Sequence, residues 1–98
     1  MSQDSPTHVL TLDEVSEALA SLSQWELKNN KLHRKLQFNH FNEAFGFMTR
    51  VALQAESLNH HPDWSNTYNQ VIIDLYTHSK NGITNLDIQL AQHINSIL

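Results

Sequence analysis

The chain contains no cysteine, which excludes disulfides and thiolate metal sites. Lysine and arginine number only six and are spread along the sequence rather than clustered. A phosphate-backbone grip on nucleic acid needs a basic patch, so that class is not expected. No apolar run approaches the roughly 20 residues of a membrane span, and no glycine-rich phosphate loop is present. The opening MSQDSPTHVL lacks the basic start and apolar centre of a signal peptide. No internal repeat, low-complexity segment or linker interrupts the chain. A soluble, cytoplasmic protein is the expectation.

What remains is ordinary in bulk. The 98 residues are 40% hydrophobic and 16% charged, with a formal net charge of −4. That length suits one domain with one core, small enough to gain from assembly with further copies. Residues 1–10 are polar and irregular and read as a loose tail, leaving 11–98 as the domain.

Thr11 stands three residues before Glu14, the capping-box spacing of a helix start. With Val15, Leu19 and Leu22 on one stripe, it predicts a first helix from Leu12 to Leu22. Gln24 to Phe38 alternates apolar and polar residues on both sides of Asn29-Asn30, a pair that tolerates positive φ, and predicts a β-hairpin. From Asn39 or His40 to Leu58 the period becomes helical, on a stripe of Phe41, Phe45, Met48, Val51 or Ala52, Ala55 and Leu58. Phe47 and Leu53 fall off this stripe, which widens the apolar surface toward a partner subunit, unless the helix is simply a thick core helix. A strand over Trp64–Tyr68 and another through Val71, Ile73 and Leu75 follow. Thr84 and Asp87 then open a last helix, whose core stripe is Leu86 or Leu90, Ala91, Ile94 and Leu98. The order predicts an α+β domain: a four-stranded antiparallel sheet with three helices packed on one face.

The residues with chemical potential lie between Glu56 and His78. His60 and His61 are adjacent and precede Pro62, and His78 ends the β-like run. Histidine alone among side chains gives and takes protons near neutrality without perturbation, so the three suit general acid–base work on a bound molecule. A three-histidine zinc site is a second option, although the spacing lacks the same-face arrangement of helical zinc motifs. Spacing alone favours neither chemistry over an ordinary structural role. Trp64 and Tyr68 add aromatic surface on which a flat ligand could stack, as could a core. Glu56 could orient a histidine or face solvent, and Asp87 reads as the cap of the last helix. His8, His33, His40 and His93 carry no pattern and read as surface residues.

The run FNEAFGFMTRVALQAESLNHHPDWSNTYNQV, with Thr77-His78 and the later LDIQLA, closely resembles the pterin-4a-carbinolamine dehydratases, and the likeness extends from Trp25 to Ile94. In animals, members of this family are also dimerisation cofactors of a homeodomain transcription factor. The resemblance implies the α+β fold above and a homotetramer, a dimer of dimers with a central bundle of the long helices and sheets joined between pairs of subunits. It implies catalytic roles for His60, His61 and His78, with Glu56, Pro62 and Trp64 at substrate-binding positions. The implied reaction needs no metal or other cofactor: a 4a-hydroxytetrahydropterin loses water to give quinonoid dihydropterin, recycling the cofactor of an aromatic amino-acid hydroxylase. Asn59 departs from the aspartate that precedes the histidine pair in animal members, and the loop Ser79–Asn81 also differs. Two alternatives accompany this reading: a regulatory or dimerisation module with an unused pocket, and pterin handling linked to molybdenum cofactor.

Overall fold

The computed structural model describes residues 7–98. Its elements run α1 (Leu12–Leu19), β1 (Glu26–Lys28), β2 (Lys31–Gln37), α2 (Phe41–Leu58), β3 (Asp63–Thr67), β4 (Gln70–Leu75) and α3 (Asn85–Ser96), with a 3-10 turn over His78–Lys80 before the last helix. The strands form one antiparallel sheet in the order β1-β2-β4-β3. Alternation sends Leu32, Leu36, Val71, Ile73 and Leu75 to one face, where they join a single buried cluster with Val15 of α1, Phe47 and Val51 of α2, and Leu90, Ala91 and Ile94 of α3. The expected α+β architecture, a four-stranded antiparallel sheet and three helices, is therefore the one observed.

Local chemistry explains most boundaries. Thr11 and Glu14 form the predicted capping box, each side chain taking the other's backbone N–H at 3.1 and 2.8 Å. The helix stops at Leu19, three residues short of the expectation, but i→i+3 turns carry the chain to a still-buried Leu22. Asn29 and Asn30 both take positive φ, 51° and 63°, and close the β1–β2 hairpin as predicted. Part of the expected loose tail, residues 1–6, lies outside the described residues. Of the remainder, Leu10 donates to the Ile83 carbonyl at 2.8 Å and Val9 pairs with Thr84. Gly82 permits this approach, because a Cβ there would stand 2.6 Å from a Val9 methyl.

The long helix is rotated from the expected phase. Its buried residues are Ala44, Phe47, Val51 and Ala55, whereas Phe41, Phe45 and Leu53 are exposed. Phe47, expected off the core stripe, is fully buried and packs its ring 5.1 Å from that of Phe38. Ala44 and Ala55 are the physical reason: small side chains let the helix sit close to its neighbours, and one aromatic between them fills the space. Arg34 falls on the core face by register, opposite Ile73. Burial lowers its pKa, and its guanidinium reaches Asn95 of α3, which also accepts the Trp25 indole N–H at 2.9 Å.

Candidate functional site

The end of α2 places the first two histidines. Asn59 adopts the left-handed conformation (φ 51°, ψ 43°) that asparagine tolerates better than most residues. Its N–H returns to the Glu56 carbonyl and that of His60 to the Ala55 carbonyl, the two bonds of a Schellman closure. The His60 backbone is thereby fixed, and its side chain turns inward.

His60 is only 8% exposed, and its Nε2 lies 2.5 Å from Oδ1 of Asp87, which is fully buried. Asp87 is the third residue of α3. Its other oxygen accepts the Thr84 N–H at 2.9 Å, the capping-box bond, and the Thr77 hydroxyl at 2.8 Å. Since Thr77 spends its proton on Asp87, the Thr84 hydroxyl donates to Thr77, at 2.8 Å, and accepts from the Leu86 N–H. The buried carboxylate thus has donors on both oxygens, which offsets its loss of water. Sequence reading found the cap but not the contact with His60, because helix spacing says nothing of what the second oxygen meets.

His61 and His78 are exposed, and each also holds a carboxylate on Nε2: Glu56 at 3.0 Å for His61 and Asp63 at 2.9 Å for His78. The Tyr76 ring meets that of His78 edge-on at 5.1 Å. Two cross-links gather these groups. His78 binds Asp63, two residues beyond His61, while its neighbour Thr77 binds the partner of His60. The adjacent His60 and His61 and the distant His78 are thus tied into one region by the ends of α2, β3, β4 and α3.

The remaining candidates divide. Pro62 is half-buried in the short connection to β3, and Trp64 is half-buried against the core cluster. Tyr68 is in the β3–β4 turn with φ 50°, 62% exposed. It stands at the opposite end of β3 from Asp63, about 16 Å along an extended strand, so it adds nothing to the histidine region. The surface assignment of His33 and His93 is corrected as well: both are half-buried, His33 with Nδ1 2.8 Å from Asp74, whereas His40 is exposed as expected and caps α2 by accepting the Glu43 N–H. Among the described residues no three His, Asp or Glu side chains are grouped so as to hold a metal ion, and no helix is long and apolar enough to cross a membrane.

Comparison with known proteins gives these residues a context. The profile of the pterin 4 alpha carbinolamine dehydratase family matches residues 8–97. A protein of Prochlorococcus marinus (strain MIT 9515), provisionally named a pterin-4-alpha-carbinolamine dehydratase, is 49% identical over 90 residues, covering 92% of this chain and 94% of its own. One from Solibacter usitatus, named in the same way, is 48% identical over 91 residues, with 93% and 96% covered. A crystal structure described as a transcriptional coactivator/pterin dehydratase from Brucella melitensis superposes with a TM-score of 0.89 at 46% identity, over 92% of this chain and 98% of that one. With sequence and fold matched over almost the whole length, the chain belongs to the pterin-4-alpha-carbinolamine dehydratase family.

Proposed function

We propose that this chain removes water from a 4a-hydroxytetrahydropterin to give quinonoid dihydropterin, with His60, His61 and His78 as the acting groups. The observation that carries the reading is that all three imidazoles hold a carboxylate on Nε2. A carboxylate is only an acceptor, so in a neutral ring Nε2 keeps its proton and Nδ1 is the basic atom. The same carboxylate stabilises the imidazolium once Nδ1 has taken a proton. Each ring is therefore prepared for both halves of proton transfer through its remaining nitrogen.

The reaction needs one proton removed from N5 and one delivered to the C4a hydroxyl, so that the C–O bond breaks and water leaves. His60 and His78 serve as proton acceptor and donor near that hydroxyl. His60 is buried and rigidly held, whereas His78 is exposed. His61 binds the pterin, with Glu56 behind it and Pro62 and Trp64 beside it. The water balances without a metal or redox cofactor. The wider setting is a cytoplasmic homotetramer that recycles the pterin of an aromatic amino-acid hydroxylase.

Ultraviolet-monitored dehydration of 4a-hydroxytetrahydropterin in the presence of a chelator tests the proposal. Acceleration over the uncatalysed rate is expected, and a folded sample giving only the background rate overturns the reading. Activity lost to chelator and restored by zinc would instead favour a metal site. A second reading, a regulatory binding module, draws on the exposed Phe41, Phe45 and Leu53 of α2 and on the coactivator description of the Brucella relative. It gains if replacing the histidines leaves the kinetics unchanged. A phenylalanine hydroxylase gene beside this one would favour hydroxylase-linked recycling over pterin handling tied to molybdenum cofactor.

A further inference from the structure

Sheet alternation turns Lys31, Asp63 and Asp74 away from the core, and on that side Lys31, Asp63 and Tyr76 close a ring with His78. Lys31, the first residue of β2, has Nζ 3.9 Å from Oδ2 of Asp63 and 5.5 Å from the centroid of the Tyr76 ring. Asp63, the first residue of β3, meets Nε2 of His78 at 2.9 Å through the same oxygen. Tyr76, just past β4, returns to His78 edge-on, with ring planes at 68°. Each contact is weak alone, because water and salt screen ion pairs and cation–π contacts at exposed sites. Together they restrain a ring that its own backbone, a three-residue 3-10 turn, does not restrain.

The surrounding charges favour the same arrangement. Asp74 stands directly opposite Asp63 in the β3–β4 register, where like charges repel. His33 lies opposite Asp74 on β2 and binds it at 2.8 Å. Each aspartate thus has its own basic partner, leaving Asp63 to His78 and Lys31.

We propose that Asp63 is a positioning residue for His78: framed by Lys31 and Tyr76, it fixes the imidazole with Nε2 engaged and Nδ1 available to a ligand. The kinetic consequence rests on the dehydratase reading, whereas the restraint of the ring does not. The test compares the full chain with Asp63→Ala and Asp63→Glu, each carrying 13C-labelled histidine, by side-chain relaxation and by dehydration kinetics. In Asp63→Ala the His78 ring order parameter should fall below about 0.6, the range of flexible groups, while that of His60 stays unchanged. The kcat should fall about tenfold with KM within twofold, the pattern of a lost transition-state contribution, and Asp63→Glu should recover most of both losses. An unchanged His78 ring in folded Asp63→Ala overturns the inference. Equal loosening of His60 does so too, because it would mark a general structural role. If the unmodified chain shows no dehydration, the functional reading falls and the relaxation comparison still decides the positioning role.

Discussion

His60 and Asp87 show how a residue's neighbours decide its consequence. Both belong to a buried set in which every named donor has an acceptor. Asp87→Asn puts an amide N–H₂ among groups that already donate, leaving at least one without a partner. A buried donor left without its acceptor costs about 1–3 kcal/mol, so urea unfolding should show a loss of that order. His60→Ala and His78→Ala should lower kcat, each by roughly 10²-fold or more if the ring acts in proton transfer. His61→Ala should raise KM at least as much as it lowers kcat. His93→Ala, on α3 away from the histidine region, is the control and should change the kinetics little. Stopped-flow kinetics on folded variants separates these outcomes, and near-normal rates in all four would return the histidines to structural roles.

At the scale of elements, whatever depends on a few neighbouring residues was readable from the sequence. The Thr11 and Thr84 caps, the Asn29-Asn30 turn and the helix ending ahead of Pro62 all follow from local backbone chemistry. The phase of α2 was not readable, because counting aromatics as inward favours Phe41 and Phe45 over Ala44, and only packing against the sheet shows that the alanines set the contact. Likewise the three candidate histidines could be chosen, but Asp63 and Asp87 could not be paired with them, since those contacts span 15 and 27 residues. Asn59, which stood out only as a departure from animal relatives, proves to be the left-handed residue that closes α2. Asn59→Ala should therefore cost about 1 kcal/mol, the left-handed penalty of a residue with a Cβ, whereas Asn59→Gly should be near neutral; chemical denaturation reads both. At the other end of the helix, the Asn39 backbone N–H holds the Glu43 carboxyl below its usual pKa. A depressed carboxylate stabilises above its unfolded pKa and loses that contribution as pH falls through the folded value. The melting-temperature gap between the native chain and Glu43→Gln should accordingly be present at neutral pH and close in acid.

For the whole molecule, the rotation of α2 changes which residues argue for assembly. Phe47 cannot contribute, being fully buried within the subunit. The exposed side instead carries Phe41 and Phe45, whose rings lie 5.6 Å apart, with Ala52 between them in angle, whereas the exposed Leu53 lies about 80° beyond Phe45 and outside this group. On a helix of 3.6 residues per turn, Phe41, Phe45 and Ala52 form a flank beside the core stripe rather than a scatter around it. Scattered apolar residues on a surface need no explanation, but a contiguous flank on the longest helix does. We expect a tetramer built on this flank, with a dimer as the smaller alternative. Phe45→Glu leaves the buried stripe intact and places a charge in the proposed interface, so it should yield smaller but still folded species. Light scattering at micromolar concentration, with circular dichroism as the check on folding, decides the matter. A native chain that is monomeric under those conditions would defeat the expectation and leave the flank as ordinary exposed surface.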